Sequence, residues 1–372
     1  MKIICANSVS LGQEAFSSLG ELHWLGESDI DAASVKDADA VITRSKTRLN
    51  AELFADSRVK FAGTCTAGID HANLDELEDL GVQFYSAPGC NANGVSEYVV
   101  AALLEAPGWS FAGKTVGIIG HGQVGTRVEE KLKALGCKVL LNDPPKAATG
   151  APGPYVDLET VLRDSDVVTL HVPLVETGPW PTRGLLGALE IGKLREGAVL
   201  INACRGEVMD GASVREARIQ GHLSWLVLDV WDPEPCIPED LLAAADLATP
   251  HIAGHSVEGK VNGTRQIREQ LLAAFDLDLP VWDPRPLMPA PVHMEVDVSE
   301  FESFESRLRA AVKACYDIRY DDDRLRNEDQ PMKERFVFQR RNYRDRREFS
   351  ATRVTGMPEG EQEIFRALGF GG

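Results

Sequence analysis

Arg205, Glu234 and His251 each follow an apolar run that reads as a buried strand: Ala198-Val199-Leu200-Ile201, Trp225-Leu226-Val227-Leu228 and the stretch Asp246-Leu247-Ala248-Thr249-Pro250. All three lie downstream of a glycine-rich loop, Gly120-His121-Gly122-Gln123-Val124-Gly125. In an open parallel sheet, the loops at the carboxyl ends of the strands converge on one crevice. A cation, a carboxylate and an imidazole delivered there are the parts that oxidation of a hydroxy acid requires. The imidazole titrates near neutral pH and can take the hydroxyl proton. A carboxylate beside it orients the ring and favours its protonated form. A guanidinium offers a planar fork to a substrate carboxylate and polarises the oxygen at C2. A lone histidine is more often structural; three such residues in equivalent positions carry the catalytic reading.

The glycine loop follows the apolar strand Thr115–Ile119 and precedes a helical stripe in which Val128, Leu132 and Leu135 share a face. A second strand, Lys138–Leu141, then leads to an acid, Asp143. That order matches a dinucleotide-binding fingerprint. Gly120 permits the tight turn, Gly122 lets the backbone approach a pyrophosphate at the helix N-terminus, and Gly125 allows close helix–strand packing. Asp143 can accept hydrogen bonds from the adenosine ribose and would repel a 2′-phosphate, favouring NAD over NADP, with Lys146 tempering the preference. Asp229 falls where a nicotinamide carboxamide would lie. The alternative is a glycine turn that binds nothing.

The positioning elements alternate. Runs at Lys2–Ala6, Ala40–Thr43, Lys60–Gly63 and Val82–Ser86 are separated by helical stretches such as Leu74–Leu80, which argues for a parallel α/β unit. Strands at Thr115–Ile119, Lys138–Leu141, Val167–His171, Ala198–Asn202 and Trp225–Asp229 continue the pattern in a second unit. After His251 the chain reads as helical through Phe275, and Pro280, Pro284, Pro286, Pro289 and Pro291 mark a linker. Beyond it, residues 295–305 are acidic, whereas 333–353 hold eight Lys or Arg against three Asp or Glu. The run Arg340–Arg347 could reach a substrate phosphate, pair across a subunit interface, or form a solvated helix face.

A chain of 372 residues is expected to hold two or three domains. Its net charge of −18 argues against a nucleic-acid partner or an anionic membrane, although a cationic pocket can still sit in an acidic shell. The seven cysteines are odd in number and show no Cys-x-x-Cys, which suits reduced thiols of a cytoplasmic protein and no metal site. Cys65 and Cys204 adjoin candidate residues; they read as buried apolar fillers before catalytic thiols. Met1–Ala6 reads as a first strand and not as a signal peptide. The apolar helix Val95–Ala106 is too short to span a bilayer.

In the N-terminal unit, Arg44-Ser45-Lys46 and Thr64-Cys65-Thr66-Ala67-Gly68 each follow a strand. Hydroxyls, cations and backbone N–H groups beside a glycine suit a carboxylate or phosphate; surface turns are the plainer alternative.

Together with Asn202-Ala203-Cys204-Arg205-Gly206, Asp229-Val230-Trp231-Asp232-Pro233-Glu234-Pro235 and Pro250-His251-Ile252-Ala253-Gly254, these stretches resemble the D-isomer-specific 2-hydroxyacid dehydrogenases. Further stretches (Ala87–Ala92, Asn142–Pro145, Glu258-Gly259-Lys260, Tyr316–Arg319 and Arg341–Glu348) resemble a branch of that family acting on a small phosphorylated hydroxy acid. The resemblance implies two doubly wound parallel-sheet, Rossmann-like domains around a cleft: residues 1–93 with 255–285 for substrate, and 94–254 for NAD. It implies that 286–372 form a small α/β domain that joins two copies into a homodimer. It assigns Arg205, Glu234 and His251 to catalysis, and NAD contacts to Gln123, Val124, Asp143, Val172, Ala203, Cys204, Arg205, Asp229 and Gly254. Ser45, Thr66 and His255 would touch substrate; at 255 the family usually has tyrosine. A phosphoglycerate or glycerate dehydrogenase, or a non-catalytic NAD sensor on this fold, are the competing readings.

Overall fold

Five strands, β1 (Lys2–Ala6), β2 (Glu21–Leu25), β3 (Ala40–Thr43), β4 (Phe61–Thr64) and β5 (Gln83–Tyr85), form a parallel sheet in the order β2-β1-β3-β4-β5. The computed structural model describes residues 1–371 except residue 328. Central β3 and β4 are buried along their whole length, as expected of strands covered on both faces. The helix Val257–Ala274 returns to this sheet and places Ile267 and Leu271, both fully buried, in its core. Its Gly263 lies so close to β4 that a Cβ there would sit 2.4 Å from the Cys65 carbonyl oxygen. Residues Met1–Asn91 and Ser256–Pro289 make up this first compact unit.

The second unit comprises Ala92–His255 and Ala290–Gly372. Its sheet contains β6 (Thr115–Ile119), β7 (Lys138–Asn142), β8 (Val167–Leu170), β9 (Ala198–Asn202), β10 (Leu223–Leu228) and β11 (Leu247–Ala248). All are parallel, in the order β11-β10-β9-β8-β6-β7. The order reverses between β6 and β8, which makes a topological switch point at their carboxyl ends. Within residues 115–254 the segments singled out for chemistry all follow the carboxyl ends of these strands: 120–125 after β6, 143 after β7, 172 after β8, 203–205 after β9, 229–234 after β10 and 251–254 after β11.

The C-terminal residues, expected as a third unit, share a core with this sheet. A short parallel pair, β12 (Glu295–Asp297) and β13 (Arg353–Thr355), anchors them. Phe349, Phe365, Leu368 and Phe370 cluster with Val128 and Leu132 of the helix Gln123–Ala134. Polar contacts fix the docking. The backbone N–H of Phe349 donates to the wholly buried Glu97 at 2.9 Å, and Asn93 Nδ2 bridges Glu97 at 3.0 Å and Glu348 at 2.7 Å. Burial, then the neighbouring Glu348, push the Glu97 carboxyl well above its ordinary range. Asp322 accepts the N–H of Ala248 in β11 at 2.9 Å, and Arg326 donates to the carbonyls of Leu242 and Ala245.

Phe349 stacks on Phe370 at 4.6 Å with no exposed surface, so Phe349→Ala should cost about 3–5 kcal/mol in denaturant unfolding. A loss below about 1 kcal/mol would show that the tail does not unfold with this core. Because its raised acid carries no stability at high pH, Glu97→Gln should match or exceed the native chain at pH near 8.

Candidate active site

The glycine loop distinguishes what the fold demands from what a ligand would demand. Gly120 has φ 91°, and a Cβ there would lie 2.5 Å from the His171 carbonyl oxygen at the end of β8. A Cβ on Gly125 would stand 2.1 Å from the Gly120 carbonyl oxygen. Both are glycine for internal reasons. Gly122 is different: it has an ordinary φ of −82°, and a Cβ would meet nothing within 4 Å. Only a group approaching from outside can require glycine at that position. Gly122 also caps the helix Gln123–Ala134 without a side-chain hydrogen bond and with no acid in the first turn, leaving N–H donors and the positive end of the helix dipole for an anion.

Asp143 closes the adjoining corner. Its carboxylate accepts the N–H of His121 at 2.8 Å and that of Lys146 at 3.0 Å, while Lys146 Nζ donates to the His121 carbonyl. An ionised carboxylate has about four acceptor positions, so Asp143 retains capacity for ribose hydroxyls. This donor-rich, glycine-lined corner fits a dinucleotide.

Two buried polar residues at strand ends shape the loops that carry Arg205 and His251, a part the sequence did not suggest for them. Asn202, fully buried, donates from Nδ2 to the Arg205 carbonyl at 2.9 Å and accepts the Cys204 N–H at 3.1 Å, folding 203–205 into a turn. Asp229, 1% exposed, accepts the Thr249 hydroxyl at 2.6 Å and the N–H groups of Ile252 and Ala253 at 2.7 and 2.9 Å. Its own carbonyl accepts the His251 N–H at 2.6 Å. The signal available in sequence was a polar residue directly after four buried apolar ones.

So held, His251 adopts φ 57°, a left-handed backbone that costs a non-glycine residue about 1–3 kcal/mol unless its surroundings over-determine it. The ring then reaches Glu234, with Nδ1 at 2.8 Å from Oε2 and 3.1 Å from Oε1. Glu234 Oε1 also accepts the Trp231 N–H at 3.1 Å. Burial alone would raise the Glu234 carboxyl. The hydrogen bond and charge of His251, the Arg340 guanidinium and the Trp231 N–H outweigh burial and hold the group below its ordinary range. An ionised carboxylate can only accept, so Nδ1 donates in this hydrogen bond.

Arg205 follows β9, and the next residue, Gly206, packs directly on Trp231, where a Cβ would be 2.1 Å from the Trp231 carbonyl carbon. Its Nη1 donates to the Cys204 carbonyl at 2.7 Å. Cys204 is buried and its thiol is pushed up to about 11; burial likewise raises Cys65 to about 12. Neither is a thiolate at neutral pH. His171, at the end of β8, is driven down to about 3 by burial and is a neutral ring there. In the first unit, Ser45 is exposed just past β3, and the Thr66 hydroxyl lies past β4, 2.9 Å from both the Thr64 hydroxyl and the Gly68 carbonyl. His255 sets its ring edge-on to Tyr343 at 5.8 Å.

Fold and site together define a nicotinamide-dependent dehydrogenase of the D-isomer-specific 2-hydroxyacid type. The family model "D-isomer specific 2-hydroxyacid dehydrogenase, NAD binding domain" matches residues 96–253, and a domain of unknown function, DUF3410, matches 287–369. Erythronate-4-phosphate dehydrogenase of Pseudoalteromonas atlantica is 41% identical over 100% of this chain and 99% of its own length. The protein of the same name from Pectobacterium atrosepticum is 40% identical, covering 100% and 98%. A solved NAD+-bound 3-phosphoglycerate dehydrogenase from Entamoeba histolytica superposes with a TM-score of 0.64 at 25% identity, covering 76% of this chain and 99% of that one. The chain belongs to the erythronate-4-phosphate dehydrogenases within the D-isomer-specific 2-hydroxyacid dehydrogenase family.

Gly122 and Gly125 should separate experimentally. Gly122→Ala should unfold within a degree or two of the native chain yet lose NAD affinity at least about tenfold, whereas Gly125→Ala, forced against backbone, should lower stability by about 1–3 kcal/mol. Equal NAD affinity in Gly122→Ala would contradict the assignment of that loop.

Proposed function

We propose that this enzyme oxidises 4-phospho-D-erythronate with NAD to 2-oxo-3-hydroxy-4-phosphobutanoate, a step in making vitamin B6. The observation that carries the reading is the Glu234–His251 pair, 2.8 Å apart at the strand edge that also bears the glycine loop.

Bound NAD supplies the hydride acceptor. His251 Nε2 takes the proton of the C2 hydroxyl as the C2 hydride leaves, and Glu234 stabilises the imidazolium that results. Arg205 holds the substrate carboxylate and polarises the C2 oxygen. Ser45, Thr66 and His255 are the further substrate residues of this reading, and His255 can donate to a phosphate or hydroxyl. Gly120, Gly122, Gln123, Val124 and Gly125 would hold the cofactor, with Asp143 for its ribose. Val172, Ala203, Cys204, Arg205 and Gly254 would make further contacts with it, and Asp229 would lie near its nicotinamide. These cofactor residues follow the carboxyl ends of strands of one parallel sheet, in its loops or in the first turn of the helix Gln123–Ala134.

Two copies associate through the C-terminal segment, a reading supported by Tyr320, Val337 and Phe338, which are 48%, 42% and 44% exposed. Among the described residues no helix is long and apolar enough to cross a membrane, and all seven cysteines are free thiols; cytoplasmic residence fits both.

His251→Ala should lower kcat by about 10²–10⁴-fold with NAD binding intact, measured as NADH formation from 4-phosphoerythronate. Native-like turnover in that variant, or a clear preference for 3-phosphoglycerate in the native enzyme, would overturn the proposal.

A further inference from the structure

The catalytic pair has a third member that the dehydrogenase chemistry does not account for. Arg340 ends the helix Met332–Arg341, far along the chain, yet its Nη1 lies 3.9 Å from Glu234 Oε2. That is the same oxygen that faces His251 Nδ1 at 2.8 Å. We propose that Arg340 is a positioning residue for the Glu234–His251 pair: a cation from the C-terminal segment shares the carboxylate with the imidazole and sets the pH above which His251 is free to act as base. This rests on His251 being the base, as read above.

The placement of Arg340 is built into the fold. Phe336, one helical turn earlier and 1% exposed, is buried in the same cluster as Trp231, Leu241 and Leu242. The guanidinium of Arg340 sits 5.7 Å above its ring, a cation–π arrangement that holds the side chain over the site. Its Nε is buried without a hydrogen-bond partner among the described residues. At 3.9 Å, the contact with Glu234 is too long for a hydrogen bond. Arg340 therefore does not displace the imidazole from the carboxylate; it acts through charge.

The sign follows from the charged groups around the pair. Glu234 favours the imidazolium, and Arg340 opposes it directly while offsetting the carboxylate. From the loop after β10, Asp229 gives its carboxylate to the 249–253 turn, and Asp232 is exposed. From the loop after β9, Arg205 adds a second cation, with Nη1 on the Cys204 carbonyl. On the His251 loop itself, His255 lies against Tyr343. Removing the Arg340 charge leaves Glu234 to act on His251 alone, so the ring should keep its proton to higher pH.

The test follows the His251 ring proton by NMR titration of the full-length, ligand-free enzyme, with the resonance assigned by its loss in His251→Asn, alongside the pH profile of kcat/KM. In Arg340→Gln the titration midpoint and the acidic limb of kcat/KM should both move up by roughly half a pH unit, lowering kcat/KM about threefold on that limb. Arg340→Lys should stay near the native midpoint, and Glu234→Gln should move it down. A merely structural role would reduce activity without moving the midpoint. An unchanged midpoint in Arg340→Gln, with Glu234→Gln still moving it, would overturn the proposal and leave the proposed function standing. Full activity in His251→Asn would instead overturn the function on which it rests.

Discussion

A carboxylate with 1% exposure, Asp229, meets three donors from a single turn. Leaving any of them unmatched at this depth would cost about 1–3 kcal/mol, so the turn has little freedom to take another shape. The donors reach further into the fold. Tyr98 and Thr249 share a hydroxyl contact at 2.8 Å, and Trp231 Nε1 donates to the Thr249 carbonyl at 3.0 Å. Beyond the turn, Arg346 donates to the Ala253 carbonyl at 2.6 Å while lying over the Tyr316 ring at 4.3 Å. The left-handed backbone of His251 is the outcome of these constraints. Relaxing it to an ordinary conformation would swing the imidazole off Glu234.

The electrostatics of the site build on that geometry. A partly buried carboxylate is a poor acid–base partner unless its charge is stabilised. Glu234 has an imidazole, a backbone N–H and a nearby guanidinium to stabilise it. The cofactor corner follows the same economy of backbone donors. Gly120 and Gly125 let the loop close on itself, and Gly122 leaves its outward face open. The glycine loop and His251 are thus brought to one end of the sheet by strand direction, since parallel strands all end on the same side.

Much of this was legible in sequence because it is local. Strands β1, β3, β6 and β9 have the limits expected from their apolar runs, and the glycine loop, Asp143, Arg205, Glu234 and His251 fall in the turns expected of them. Strand β2 escaped notice: at the sheet edge, Glu21-Leu22-His23-Trp24-Leu25 is only half-buried and carries charge. The C-terminal segment was harder. Its strands are three residues long, and its basic run could be read as reaching a substrate phosphate, pairing across a subunit interface or forming a solvated face. Arg346 is in fact buried against Tyr316, Arg344 pairs with Asp321 at 3.2 Å, and Arg340 faces Glu234. Cations that pair with residues more than twenty positions away leave no periodic trace. The same holds for Glu97, which sits in an apolar helix and accepts the N–H of Phe349, 252 positions later.

The central claim concerns where the imidazole of residue 251 stands when cofactor and substrate are present. A crystal structure with NAD and an unreactive phosphorylated hydroxy-acid analogue tests it most directly. Nε2 should lie within about 3 Å of the C2 oxygen, with C2 facing the nicotinamide ring and Nδ1 still on Glu234. An analogue bound on the same edge but with the ring turned away, or a dinucleotide bound elsewhere than the Gly122 loop, would contradict the account.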